Sequence, residues 1–393
     1  MIRWLAGLIG FGLAATSALA ADPITIGVGY LGIAGIRSTL SLAEQPAEND
    51  GLAGARLAIE DNNTTGKFTG QRFTLEERRI REGEDVAQAA TALAEKNGFI
   101  IADLPADALL KVADALRDRG TLLFNAGAVD ERLREADCRA NVIHTAPTRA
   151  MLADALGQYL VWKKWSRWLL VVGSHDEDKL FADAIRRTAA RFGAKIVQER
   201  TFEDKGGARR TDSGVAQIQR QIPVFTQQAP AYDVLVAADE SEVFGAYLPY
   251  RTWDPRPVAG SAGLVPRSWD ASQDQWGAIQ MQNRFIKLNS RRMTARDMQA
   301  WTAVRMIGEA TSRTNSGEVR KVTDFIKGPD FSVAAFKGTR LTLRDWNWQL
   351  RQPILLVDGR MVVSVSPQEG FLHQVSELDT LGYDRPESKC KLK

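Results

Sequence analysis

Residues 50–62, with the sequence DGLAGARLAIEDN, carry apolar side chains at the three- and four-residue spacing that predicts an amphipathic helix. The strand-like segments ITIGVGY (24–30) and FTLEERR (73–79) flank this helix. The same order continues through predicted helices at 85–96 and 106–117 and predicted strands at 98–102 and 121–124. Alternation of strands and helices indicates an α/β fold, with a parallel sheet that is covered by helices on both faces.

A second run of the same kind begins at residue 148. Helices are predicted at 148–162, 180–192 and 242–250, and strands at 167–173, 194–198, 233–237 and 258–260. A weak helix at 212–219, a helix at 294–311 and a β-rich segment at 340–358 complete the pattern. We predict two doubly wound lobes joined by a hinge. The first contains residues 21–146 and 265–340, and the second contains residues 147–264 and 341–393.

The amino terminus has the features of a cleaved secretory signal over residues 1–20. Arg3 precedes a short apolar run, and Ala18-Leu19-Ala20 supplies the small residues that signal peptidases require. We expect a secreted chain that begins at Ala21, with an uncleaved signal anchor as the alternative. Secreted proteins meet an oxidising environment, so Cys138 and Cys390 are candidates for a disulfide; two free thiols are the alternative.

Composition and motifs favour binding over catalysis. The net charge of +3 and the charged content of 25% are ordinary for a globular protein and do not call for nucleic acid. The sequence lacks a phosphate-binding loop, a GxGxxG turn that opens a helix and a GxSxG turn. His144, His175 and His373 form no metal-binding motif. We therefore predict no catalytic residue, metal or catalytic cofactor, and a hydrolase with a dispersed triad is the alternative.

The predicted sheets indicate where a ligand would bind. Ligands of open parallel sheets bind beyond the carboxyl ends of the strands, and two facing sheets form a cleft that can close. In the first half this rule selects Tyr30, Leu31, Arg37, Asp103, Leu104, Asn125, Ala126 and Gly127. In the second half it selects His175, Asp176, Asp239, Glu240, Ser261 and Ala262, and the following segment adds Arg267, Trp269, Trp276 and Arg284. Helix capping is the alternative role for Asp239 and Glu240.

Three segments resemble the type I periplasmic binding proteins, the class of the leucine/isoleucine/valine-binding proteins of ABC importers. They are GLAGARLAIEDNNTTGKFTGQRF (51–73), FGAKIV (192–197) and YDVLVAAD (232–239). Four further segments resemble a subfamily associated with alcohol dehydrogenase systems that depend on pyrroloquinoline quinone: YRTWDPRPVAGSAGL (250–264), DMQAWTAVRMIGEA (297–310), FKGTRLTLRDWNWQLRQPILL (336–356) and PQEGFLHQVSELDTLGYDRPESKC (367–390). The resemblance implies the type I fold, a periplasmic location and a small-molecule ligand.

The subfamily resemblance implies pyrroloquinoline quinone as the bound ligand. This planar aromatic molecule carries three carboxylates, so it calls for arginine side chains and a flat stacking surface. Arg37, Arg267 and Arg284, with Trp269 or Trp276, are the hypothesis for these roles. An inner-membrane ABC permease or a quinone-dependent dehydrogenase is the implied partner of a monomeric protein. Binding of an amino acid, amide or other carboxylate, and a role as a sensor or accessory protein, are the alternatives.

Overall fold

The computed structural model describes residues 23–35, 46–204 and 218–392. The predicted signal at 1–20, Arg37 and most of the predicted helix at 212–219 lie outside the described residues. The strands are β1 (Ile24–Ile33), β2 (Gln71–Ile80), β3 (Phe99–Asp103), β4 (Leu122–Asn125), β5 (Val142–His144), β6 (Arg167–Gly173), β7 (Lys195–Phe202), β8 (Val234–Ala238), β9 (Val258–Gly260), β10 (Val265–Arg267), β11 (Val333–Ala334), β12 (Arg340–Leu341), β13 (Ile354–Val357) and β14 (Val362–Ser366). The helices are α1 (Leu52–Thr69), α2 (Val86–Ala94), α3 (Ala106–Ala115), α4 (Arg149–Trp162), α5 (Asp176–Phe192), α6 (Ile218–Thr226), α7 (Leu248–Arg251), α8 (Ala278–Asn289), α9 (Ala295–Thr314) and α10 (Val319–Lys327).

Two parallel sheets form the centres of two lobes, as the sequence predicts. The first sheet has the strand order β2-β1-β3-β4-β5, and the second has the order β7-β6-β8-β9. An antiparallel sheet of β10, β13 and β14 adjoins the second sheet through contacts between β9 and β10. Strands β11 and β12 form a hairpin. The fold is therefore α/β with two doubly wound parallel sheets.

Helices α1 and α9 run side by side over the first sheet because glycine permits their close approach. A Cβ atom at Gly54 would lie 1.8 Å from the carbonyl oxygen of Asp297, and one at Gly308 would lie 2.3 Å from the side chain of Asn62. Both helices thus begin at the same edge of the sheet, where the carboxyl ends of its strands lie. This packing brings the amino terminus of α9, far along the chain, to the predicted ligand-binding edge.

The buried apolar residues fall into two groups. The clusters of the first lobe lie within residues 26–143 and 269–350, and those of the second lobe lie within residues 151–262 and 354–381. The chain therefore passes between the lobes three times: between residues 143 and 151, between 262 and 269, and between 350 and 354. Leu341 and Leu350 pack in the first-lobe core, although the predicted second lobe resumes at residue 341.

Several elements differ from the sequence predictions. The predicted helix at 242–250 is instead a short turn of 3-10 helix at Gly245–Tyr247 that leads into the four-residue α7. The predictions omit β5, α8 and α10, and α5 begins at Asp176 rather than at residue 180. Within the described residues, no helix combines the length and apolarity needed to cross a membrane. That part of the chain also contains no cluster of three histidine, cysteine or acidic residues suited to a metal ion.

Candidate ligand-binding site

The carboxyl edge of the first sheet carries a tyrosine, an acid and an arginine in contact. The Tyr30 hydroxyl donates a hydrogen bond of 3.1 Å to Oδ2 of Asp103, and Nη1 of Arg296 donates to Oδ1 of the same carboxylate. Burial, followed by the charge of Asp103, raises the pKa of Tyr30 well above its ordinary value. Tyr30 therefore stays a neutral donor that fixes Asp103, and Asp103 in turn fixes the guanidinium of Arg296.

Gly127 completes this edge because it allows the loop after β4 to pass close to the ion pair. A Cβ atom at this position would lie 2.5 Å from Oδ1 of Asp103 and 3.1 Å from Nη1 of Arg296. We call Tyr30, Asp103, Gly127 and Arg296 the first-lobe edge. The side chain of Arg296 is 31% exposed, whereas that of Asp103 is 8% exposed. The first-lobe edge thus presents an accessible cation held in place by a buried acid.

The other predicted residues of the first half have structural roles. The Asn125 amide oxygen accepts hydrogen bonds from the backbone N–H groups of Gly127 (3.2 Å) and Ala128 (2.9 Å), and its amide nitrogen donates to the carbonyl of Ala128 at 2.8 Å. These bonds shape the loop. Leu31, Leu104 and Ala126 are buried in the apolar cores.

The carboxyl edge of the second sheet is built around Asp239. Its Oδ1 accepts a hydrogen bond of 2.9 Å from the N–H of Val243, and its Oδ2 accepts one of 2.9 Å from Phe244 and one from Gly245. Burial raises the pKa of Asp239, against the opposing effect of these backbone donors. The carboxylate organises the turn that replaces the predicted helix, which agrees with the capping alternative.

Neighbouring residues of this edge are also engaged within the second lobe. The Ser261 hydroxyl accepts a hydrogen bond of 2.9 Å from the N–H of Asp239 and donates one of 3.2 Å to the carbonyl of Ala237. The carboxylate of Asp178 accepts hydrogen bonds from the backbone and hydroxyl of Ser241 at 2.9 and 2.8 Å. We call Asp178, Asp239, Ser241 and Ser261 the second-lobe edge. Sequence reasoning did not select Asp178, although it is fully buried.

The remaining sequence-predicted residues near the second-lobe edge contact other residues of the second lobe. Nε2 of the His175 ring lies 2.9 Å from Oδ2 of Asp204, and Asp176 is exposed and pairs with Lys179 at 3.0 Å. Ala262 packs in a second-lobe core. These placements give His175 and Asp176 roles at the surface of α5.

Arg149 lies between the lobes, at the first residue of α4. Its Nε and Nη2 donate hydrogen bonds of 2.8 to 3.0 Å to the carboxylate of Glu240, beyond the end of β8. Its backbone N–H donates to the carbonyl of Val129 at 3.1 Å, and its Nη1 lies 3.6 Å from Oδ2 of Asp130. Because Val129 and Asp130 follow β4 in the first lobe, Arg149 connects loops that follow strands of both sheets. Burial raises the pKa of Glu240, and Arg149 opposes that shift.

A buried lysine lies near the first passage between the lobes. Nζ of Lys337 donates a hydrogen bond of 2.6 Å to Oε1 of Gln352, and Nε2 of Gln352 donates one of 2.8 Å to the carbonyl of Thr145. Burial lowers the pKa of Lys337 to about 7, because its ammonium has left water. Lys337 thus forms a hydrogen-bonded chain with residues of the first and third passages.

The residues proposed for a planar carboxylate ligand do not form one cluster. The Trp269 side chain is 1% exposed and packs in the first-lobe core, which leaves no face for stacking. Arg284 pairs with Asp61 on α1, and Arg267 pairs with Asp270 at 3.0 Å. The half-exposed Trp276 packs against Gly338. Trp269 is a correction to the predicted site, because the chain carries it into the first-lobe core after the second passage. The side chains of Arg284 and Arg267 are 41% and 46% exposed, so their roles at a ligand stay predictions.

Arg149 and Arg296 are two further residues that the sequence analysis missed. Both lie in the first turn of a helix, α4 and α9 respectively, where the helix dipole disfavours a cation. Each has a carboxylate partner, Glu240 or Asp103, that offsets this effect. A basic residue within two positions of a threonine cap was therefore a usable signal, because an acidic neighbour offsets its unfavourable interaction with the helix dipole.

The model of the family described as periplasmic binding protein matches residues 34–223. This match covers just under half of the chain, and the fold is that of the type I periplasmic binding proteins. None of the curated protein sequences matches it.

Solved structures of binding proteins share the fold at low sequence identity. An amino acid ABC transporter substrate-binding protein from Pseudomonas fluorescens Pf-5 has a TM-score of 0.67 at 14% identity, over 95% of this chain and 100% of the other. A solute-binding protein from R. palustris in complex with benzoate has a TM-score of 0.64 at 13% identity, over 94% and 100%. A branched-chain amino acid binding protein from Streptococcus pneumoniae in complex with isoleucine has a TM-score of 0.63 at 13% identity, over 87% and 99%. These likenesses establish the two-lobed fold of a periplasmic binding protein.

Proposed function

We propose that this periplasmic binding protein captures a small carboxylate between its lobes, and that the ligand is an aromatic carboxylate such as pyrroloquinoline quinone. The observation that carries the proposal is Arg296, a partly exposed guanidinium at the carboxyl edge of the first sheet. Arginine binds carboxylates through several N–H donors in one plane, and Asp103 uses Nη1. The bound ligand would be delivered to an inner-membrane ABC permease, or to a quinone-dependent dehydrogenase.

Lobe closure supplies the binding energy in this proposal. Capture at the first-lobe edge leaves one side of the ligand exposed, and movement of the second lobe then removes water from the contact. Loss of water strengthens the attraction between guanidinium and carboxylate because the local dielectric constant falls. The buried Tyr30–Asp103 pair holds Arg296 in position, so little side-chain freedom remains to be lost when the ligand binds.

The engagement of the acids argues against an amino acid as ligand. An α-ammonium group needs a carboxylate with an available oxygen. Within the second lobe, Asp239 already accepts three backbone hydrogen bonds and Glu240 accepts both donors of Arg149. A hydrolase gains no support from the described histidines. Besides Asp204 and Asp384, the rings of His175 and His373 engage backbone N–H groups rather than a nucleophile, and the buried His144 contacts Asn125.

The test is Arg296→Gln, with binding measured by calorimetry against benzoate, pyrroloquinoline quinone and isoleucine. A charged hydrogen bond contributes about 1.5 to 3 kcal/mol, so we expect carboxylate affinity to fall about 10- to 100-fold. Arg313→Gln is the matched control, because Arg313 lies in the last turn of the same helix and is exposed. Unchanged affinity in the Arg296 variant would overturn the assigned contact, and binding of isoleucine alone would replace the carboxylate class with amino acids.

A further inference from the structure

The carboxyl-terminal segment is fastened to the second lobe up to Glu387. Leu381 packs in the second-lobe core, and the N–H of Gly382 donates a hydrogen bond of 2.9 Å to Asp154 of α4. The carboxylate of Glu387 forms an ion pair of 3.0 Å with Arg187 of α5. The segment is therefore anchored to α4 and α5, and its Asp379 and Arg385 also pair with Arg344 and Asp345, which precede the third passage.

Cys138 is fastened to the first lobe. The next residue, Arg139, forms an ion pair of 2.7 Å with Asp114 of α3, and Asn141 donates a hydrogen bond of 2.9 Å to the carbonyl of Ala113. Strand β5, which begins at Val142, pairs with β4 in the first sheet. Cys138 therefore moves with the first sheet and α3.

A disulfide joins these two parts, because Cys138 is bonded to Cys390. The backbone N–H of Lys389 also donates a hydrogen bond of 2.6 Å to Glu135 in the first lobe. Only three residue steps separate Glu387, on the second lobe, from Cys390, and a fully extended chain of that length spans about 10 Å. We call Ser388, Lys389, Cys390 and their bond to Cys138 the strap.

The strap lies beside the passages between the lobes. A small cavity there is lined by Glu135 next to the strap, by Tyr383 of the terminal segment, by Thr148 of the first passage and by Asn347, which shortly precedes the third passage. The three passages are single stretches of chain that bend when the lobes move. The strap adds a covalent connection at the same place, with its own fixed anchor on each lobe.

We propose that the strap is a fourth connection between the lobes that restrains their movement in the absence of ligand. This inference rests on the proposed lobe closure. It adds that the strap narrows the range of interlobe distances in the ligand-free protein. A narrower range lowers the conformational entropy that is lost when the lobes close on a ligand. Release of the strap should therefore widen the distribution of interlobe distances and weaken ligand binding.

The experiment compares the oxidised wild type with the Cys138→Ser/Cys390→Ser variant. Spin labels attached through Lys111→Cys on α3 and Lys179→Cys on α5, both exposed positions, report the interlobe distance without ligand. We expect a clearly broader distance distribution in the serine variant, and an affinity for the bound carboxylate that is about three- to tenfold weaker. An identical distribution in both proteins would overturn the proposal.

A second variant separates the strap from the general stabilisation that a disulfide provides. Eight glycine and serine residues inserted between Ser388 and Lys389 preserve the disulfide and lengthen a closed loop that already spans 252 residues. The effect of such a bond on the unfolded chain depends only on the logarithm of loop length, so it stays nearly constant. We expect the insertion to broaden the distances as the serine variant does.

If the interlobe distances in the insertion variant are as narrowly distributed as in the wild type, then the disulfide acts on stability alone. That result would overturn the proposal. Because the distances are recorded without ligand, they decide this question even if none of the tested carboxylates binds. Failure of the proposed ligand class would appear separately, as absent binding in the wild type.

Discussion

The two sheet edges that face the cleft differ in how completely their polar groups are satisfied by the protein itself. In the second-lobe edge, the carboxylates of Asp178 and Asp239 accept hydrogen bonds from the backbone and from Ser241. In the first-lobe edge, the buried Asp103 holds Arg296 in place, and almost a third of the arginine side chain stays exposed. The same rule of sheet geometry selects both edges, and among the residues that define them Arg296 is the charged side chain that stays partly exposed.

This difference assigns separate tasks to the lobes. Under the proposed function, the first-lobe edge binds the charged group of the ligand, and the second-lobe edge forms a wall in which Asp239 shapes a turn. Arg149, paired with Glu240, keeps its charge neutralised within the wall. Variants that remove hydrogen bonds from this wall, and variants that change nearby charges, therefore test the difference between the two edges.

The largest expected effect is that of Asp239→Ala on stability. The variant removes the acceptor of three buried N–H groups, and we expect the free energy of unfolding to fall by about 3 kcal/mol. Urea denaturation measures it, and Asp176→Ala is the control because Asp176 is exposed. A loss below about 0.5 kcal/mol would show that this carboxylate is dispensable for the wall.

A smaller effect, dependent on pH, is expected for Lys337→Met. The pKa of Lys337 falls from 10.5 to about 7 on folding, so the unfolded chain binds more protons between these values. Stability should rise as the pH increases from 7 towards 10.5, and the cost of the buried charge is fully present below pH 7. Methionine should flatten this rise and stabilise the protein at pH 6 by a few kcal/mol at most.

Thermal denaturation across pH 6 to 10 checks that prediction. Lys321→Met is the control, since Lys321 is exposed on α10. If the stability of the wild type and of the Lys337 variant depends on pH in the same way, then Lys337 is not a buried group with a lowered pKa.

The smallest expected effect is that of Glu240→Gln on ligand affinity. Glutamine keeps an acceptor for Arg149 but removes the neutralising charge, so we expect a carboxylate to bind about threefold more tightly. Calorimetry at low ionic strength measures the change. Glu177→Gln, which alters the net charge equally at an exposed position of α5, is the control. Weaker binding would mean that the ion pair itself holds the wall in its binding form.

The fold was accessible from sequence because its signals are local. Apolar spacing within 50–62 and the continuous apolar strand at 167–173 each describe one element, and their alternation determines a parallel sheet. The segment 242–250 was mispredicted because its apolar residues suggest a helix, whereas Asp239 binds the amides that would begin it. The amphipathic helices α8 and α10 were not predicted, because polar residues interrupt the apolar spacing in both segments.

The site could be predicted from the sequence only in part. The end of a strand indicates where a residue lies, but not which residues from distant parts of the chain contact it. Tyr30, Asp103 and Gly127 were selected correctly as neighbours at one edge, and they meet. Arg296 joins them from 193 residues away through the packing of α9 on α1, which no local pattern encodes. Trp269 illustrates the opposite error, since a tryptophan in a polar segment suggested a surface for a ligand and instead fills the core.

Gly127 constrains which substitutions the first-lobe edge can accept. An alanine there would place a methyl group 2.5 Å from Oδ1 of Asp103, so the carboxylate would have to shift and disturb its contact with Arg296. Under the proposed function, evolutionary changes in ligand preference are therefore expected at positions other than Gly127.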